Sequence, residues 1–162
     1  MKMTIEELTK IEVELYSAVL DILEKNETDK LEFIYDSYKN VHLYYSELAK
    51  DNDEALKRGL FIQWYALTEP SYLTGIGLLD DIAEEKIIDL IERKIQKKDI
   101  DLELNWMLNY YANWEFVFEK FSSHQALIRF ILNRKDTELI FDKVDMSKRG
   151  QMGEYWNSLN RK

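Results

Sequence analysis

The 162-residue chain has no cysteine, one proline, five glycines and two histidines. Without cysteine, disulfide frameworks and thiolate metal sites are excluded. The histidines stand in no ligand pattern either. Lys39 lies three residues before His42 and Phe121 three before His124, so the Glu-x-x-His pairs of di-iron bundles are absent. HExxH is missing, and Glu119 with His124 spans an expected helix break, a poor ligand spacing. There is no G-x-S-x-G elbow, and in Ser122-Ser123-His124 adjacency is not triad geometry; the serines read as an N-cap. Gly75-Ile76-Gly77 lacks the third glycine and the preceding strand of a dinucleotide site. The sequence therefore assigns no catalytic residue, no metal ligand and no cofactor, and reads more as a binding protein than an enzyme.

Long apolar runs are missing as well. No window approaches 18 uncharged apolar residues, and the opening MKMTIEELTKIEVELYSAVL carries four glutamates. The expectation is a cytoplasmic protein with neither membrane anchor nor signal peptide. Basic charge is in short supply, with 22 Lys and Arg against 31 Asp and Glu and a net charge of −9. That balance disfavours nucleic acid, whose phosphates need a basic face, and favours basic partners. The exception is the stretch 146–162, where four basic residues face one acid. It is read as a basic C-terminal tail, frayed or docked back, following a single domain over 1–145.

What the chain does contain is helical periodicity, with 46% hydrophobic and 13% aromatic residues to build a core. Thr4 and Glu7 have capping-box spacing. Behind them Ile5, Leu8, Ile11, Leu15, Val19 and Ile22 share one helical face. Leu31, Ile34, Tyr38, Val41, Tyr45 and Leu48 mark a second helix, and Leu56, Leu60, Trp64 and Leu67 a third. A fourth carries Ile82, Ile87, Leu90, Ile91 and Ile95 after Asp80 or Asp81. A fifth, the most aromatic, runs from Leu104 through Leu108, Tyr111 and Trp114 to Phe121. Helices are also expected after Ser122 or Ser123 and over Thr137–Val144. No segment shows strand alternation. The fold expected is all-α, with about six to seven helices packed as antiparallel hairpins. KDNDEAL at Lys50 and KDIDLEL at Lys98 hint at a short HEAT-like stack; a closed helical bundle is the alternative. The acidic pairs at helix starts read as caps that complement the helix dipole.

Two aromatic-rich regions carry the functional candidates. In GLFIQWYALTEPSYLTGIG, Gly59 to Gly77, Pro70 breaks the third helix and restarts a short turn, while Gly75 and Gly77 shape a tight corner. Glu69 and Tyr72 are its candidate contact residues. On the fifth helix, Trp106 and Tyr110 occupy a second face beside the core face. With Glu103 on that helix and Asp51 and Asp53 at a loop, they form a candidate surface for a basic protein partner, Trp and Tyr being common interface anchors. In composition the chain is similar to bacterial immunity proteins, which neutralise cationic toxins; the likeness is one of class and covers no motif. Two alternatives stay open: an interhelical small-molecule pocket or enzyme using His124, Glu115 and Tyr111, and a homodimer burying the aromatic face.

Overall fold

Helix α1 (Ile5–Lys25) starts at Thr4, whose hydroxyl accepts the Glu7 N–H while the Glu7 carboxylate accepts the Thr4 N–H at 2.8 Å. The capping box thus forms as its spacing predicts. Replacing Thr4 with alanine should lower stability by about 1 kcal/mol in urea unfolding, and an unchanged midpoint would show that the helix frays there regardless. The computed structural model describes residues 2–135 and 145–160. A 3₁₀ turn (Thr28–Lys30) leads into α2 (Leu31–Leu48). Helix α3 (Asp53–Thr68) follows, capped by Asn52, and then the one-turn α4 (Ser71–Thr74), opened by Pro70. Asp80 caps α5 (Asp81–Gln96) and Asp101 caps α6 (Leu102–Tyr111), as the acidic helix starts suggest. A 3₁₀ segment (Glu115–Phe121), α7 (Gln125–Leu132) and α8 (Gly150–Asn160) complete the described chain. The fold is all-α, and no strand occurs among the described residues. The helix expected over Thr137–Val144 lies outside them.

The apolar stripes read from the sequence form the core, except Leu67 and Ile82, which are 50% and 70% exposed. Leu8, Leu15, Val19 and Ile22 of α1 pack with Leu31, Ile34, Tyr38, Val41 and Tyr45 of α2 and with Leu56, Leu60 and Trp64 of α3. Helices α1, α2, α3 and α5 pack in sequence, and α8 returns onto α1 and α3. An open stack of hairpins would bring only neighbouring units together. Here the two ends of the chain meet, which is the geometry of the closed bundle, not of the HEAT-like alternative.

Two local departures have identifiable causes. The expected long aromatic helix ends at Tyr111, because Trp114 takes an extended conformation and folds back onto Trp64, with ring centroids 5.2 Å apart. Apolar residues on every side of that stretch give it no single face to bury, so tertiary stacking decides where the helix stops. Helix α7 is not capped by Ser122 or Ser123. Its first N–H groups, on Ala126 and Leu127, donate to the Glu92 carboxylate of α5 at 2.9 and 2.7 Å. An acid at a helix start still does the work, but it arrives from another helix.

The basic stretch after residue 145 takes the docked-back course of the two expected for it, supplying α8 with its Trp156 fully buried and Met152 1% exposed. Trp156 sits among Trp106, Tyr111 and Phe61 at centroid distances of 4.9–6.2 Å. Polar contacts lock the helix in place. Arg149 spans two carboxylates, meeting Glu54 at 2.9 and 2.5 Å and Glu103 at 2.8 and 2.6 Å. Beneath it Arg58 donates to Glu54, Thr9, the Tyr45 hydroxyl and the Lys148 carbonyl. Gly150, at φ +64°, presses against Glu12, where a Cβ would overlap the carboxylate.

Candidate functional site

The most enclosed acid is structural. Glu12 is 1% exposed on the apolar stripe of α1 and accepts hydrogen bonds from Tyr45 (2.6 Å), Tyr38 (3.3 Å) and the Gln151 N–H (3.3 Å). Burial raises its pKa against the opposing pull of Tyr45 and Arg58. Its partners are among the contacts that seat α8.

The residues proposed from sequence scatter. Trp106 is 3% exposed and stacks on Tyr110 at 4.8 Å, so its ring is part of the core and offers nothing to a partner. Tyr110 is half-buried, and its hydroxyl meets that of Tyr155 at 2.5 Å. Glu103 is occupied by Arg149 and by Lys57 at 3.1 Å. The second aromatic face of α6 is therefore covered by α8, whose Trp156 lies 50 residues beyond Trp106 in the chain, a contact that no local pattern announces. Asp51 is exposed, and Asp53, also exposed, pairs with Lys94 at 3.1 Å. Glu69 and Tyr72 are exposed at the corner after α3. The enzyme constellation does not assemble: Tyr111 is fully buried against Trp64, Glu115 is exposed, and His124 turns to Asp89 and Glu85.

That corner is where a site takes shape. The end of α3, the loop 75–80, the start of α5 and the 3₁₀ segment enclose a groove of about 490 Å³. Pro70 ends α3 by removing an N–H and setting Glu69 extended. Gly75, at φ +80°, then turns the chain where a Cβ would crowd Ile34 and Val19 at 2.8 Å. The loop that results is held down by buried Ile76 and Leu79, which leaves Leu78 between them 89% exposed. Leu67, expected to bury the end of its helix, is 50% exposed on the groove wall, and Phe116 opposite is 48% exposed. Ile82, next to the lining residue Asp81, is exposed as well.

The groove has an acidic lining. Asp81, Glu84 and Glu119 face one base, Lys120, which is already engaged by Glu84 at 2.8 Å and Asp81 at 3.5 Å. Its wall also contains Gln63, 4% exposed, whose side-chain oxygen meets His42 Nε2 at 2.9 Å. Gln63 Nε2 and His42 Nδ1 have no partner among the described residues, and a buried orphan donor is costly. The sequence flagged Glu69, Tyr72 and the two glycines. It missed Phe116, and it missed Leu78, whose signal was an apolar residue in a loop too tight to bury both members of the Leu78-Leu79 pair. A second cavity, of about 670 Å³ between α5, α6 and α7, has Lys135 in its lining, where the described chain stops.

No helix among the described residues is long and apolar enough to cross a membrane. The chain matches no protein-family model, no curated protein and no solved structure.

Proposed function

We propose that this protein is an acidic helical binding module that seats a basic, amphipathic segment of a protein partner in the groove between α3, the 75–80 loop and the 3₁₀ segment. The observation that carries the proposal is the pairing of exposed Leu67, Leu78 and Phe116 with a lining that is acidic among the described residues and whose base there, Lys120, is paired with Glu84. Apolar side chains clustered in a concave, charged setting favour a partner that brings apolar anchors flanked by Lys or Arg. The net charge of −9 supports the same partner chemistry by speeding encounter. Glu69 and Tyr72, at the same corner, extend the contact surface. An immunity-type inhibitor of a cationic protein is the specific form of this reading.

The test is capture from native lysate with the wild type and with Leu78→Asp and Phe116→Asp, using Leu20→Asp as a control. Leu20 is 66% exposed on α1, far from the groove in sequence and not among its lining residues. A stoichiometric basic protein should bind the wild type and the control, and its Kd should rise at least about tenfold in each groove variant, the scale of one lost apolar anchor. Raising salt should weaken it further. Equal binding by the groove variants would sink the proposal, and capture of only the protein's own copy would replace it with self-association.

A further inference from the structure

We propose that Glu85, Asp89 and His124 form a binding site for a divalent transition-metal ion of the zinc class. Glu85 and Asp89 are one turn apart on α5, so both carboxylates leave the same face of the helix. His124 comes from the turn that opens α7, 35 residues beyond Asp89 in the chain. The three ligand atoms lie within 4.8 Å of one another.

The orientation of the imidazole carries the argument. His124 Nδ1 is 3.2 Å from the Phe121 carbonyl oxygen, which can only accept, so Nδ1 holds a proton and donates it there. Nε2 is then directed at Asp89 Oδ1 at 2.7 Å and Glu85 Oε1 at 3.1 Å. A neutral ring with that tautomer would set its Nε2 lone pair against two anionic oxygens. Either a proton on Nε2, donated to the two carboxylates, or a metal ion that displaces it supplies the positive centre between them, and the metal ion meets all three lone pairs at once. A ring nitrogen fixed by a backbone carbonyl through its other nitrogen is the usual support of a metal-bound histidine.

The surroundings hold this arrangement firmly on one side and leave it open on the other. The His124 side chain is 8% exposed and packs edge-on against Phe121, with centroids 6.0 Å apart. Glu92, the next acid along the face of α5, is bound to the first N–H groups of α7 and so fixes the distance between the two helices. Glu85 and Asp89 are about half exposed to solvent, at 49% and 47%. An ion and its remaining water ligands can approach from that side. One imidazole nitrogen with two carboxylate oxygens suits zinc, cobalt or nickel, whereas magnesium and calcium prefer oxygen alone.

Calorimetric titration of the chelator-treated protein with zinc chloride at neutral pH should give one ion per chain with a micromolar or tighter Kd. Asp89→Asn and Glu85→Gln should each weaken binding at least tenfold, and His124→Asn should abolish it; Glu85→Gln, at an exposed position, serves if the His124 variant does not fold. Cobalt should bind the same site and develop visible absorption bands that magnesium in excess does not suppress. An absence of binding, retention of affinity in both the His124 and Glu85 variants, or displacement by magnesium would each overturn the assignment.

Discussion

Arg149→Met should destabilise the protein by about 3 kcal/mol at neutral pH, measured by urea unfolding followed through tryptophan fluorescence. Methionine keeps the length and apolar stem of the side chain but removes the charge that bridges Glu54 and Glu103. These carboxylates are 28% and 18% exposed, so water compensates them incompletely. Losing one member of a buried ion pair costs about 3–5 kcal/mol because the other charge stays behind. The lower end applies, since Arg58 still reaches Glu54 at 2.8 Å and Lys57 reaches Glu103 at 3.1 Å. Arg149→Lys should recover only part of the loss, because an ammonium cannot match four contacts made by a planar fork.

The same variant has a pH signature. Burial works to raise the pKa of Glu54 and of Glu103, but the hydrogen bonds and charge of Arg149, with help from Arg58 and Lys57, hold both below the ordinary carboxylate range. A depressed folded pKa gives stability that is present above the unfolded value, near 4.3, and is lost as pH falls through the folded one. The gap between wild type and Arg149→Met should therefore be full at pH 7 and shrink below about pH 4. A gap that stays constant into acid would mean that Arg149 acts through contacts other than its pairing with the Glu54 and Glu103 carboxylates.

Helices with one apolar face were legible in the sequence, because burial on one side leaves a period that a reader can follow. The stripes of α1 and α2 match the buried residues nearly position for position. Glu12 could have been noticed as an acid standing on the stripe between Leu8 and Leu15, though its partners Tyr45 and Gln151 could not. What stayed hidden was long-range polar pairing. Arg149 and Glu54 are 95 residues apart, and nothing local distinguishes them from solvated surface charges. The same holds for His124 and Asp89, where scanning for short ligand spacings had no chance of success. Trp106 illustrates the opposite error, since an aromatic residue off the main face looks like an anchor until α8 is seen to cover it.

His42→Gln should flatten the acid side of the stability profile. His42 is fully buried, and burial drives its imidazole pKa down to about 4, with smaller opposing effects from the Gln63 hydrogen bond and Asp80 and a reinforcing one from Lys120. Protonation would add a proton and a charge to a ring whose Nδ1 has no partner among the described residues. The unfolded chain titrates near 6.5, so the stabilisation is complete above that pH and falls away as pH drops toward the folded value. The whole shift corresponds to about 3 kcal/mol, of which about 2 kcal/mol should disappear between pH 7 and pH 5. Glutamine keeps a donor for Gln63 and does not titrate, so its variant should lose that much less over the same interval. Glu12 and His124, whose pKa values are raised, act in the opposite direction but equally in both proteins, and they cancel in the difference. Parallel profiles for the two proteins would show that water reaches His42 in solution, and with it the wall of the groove that Gln63 lines.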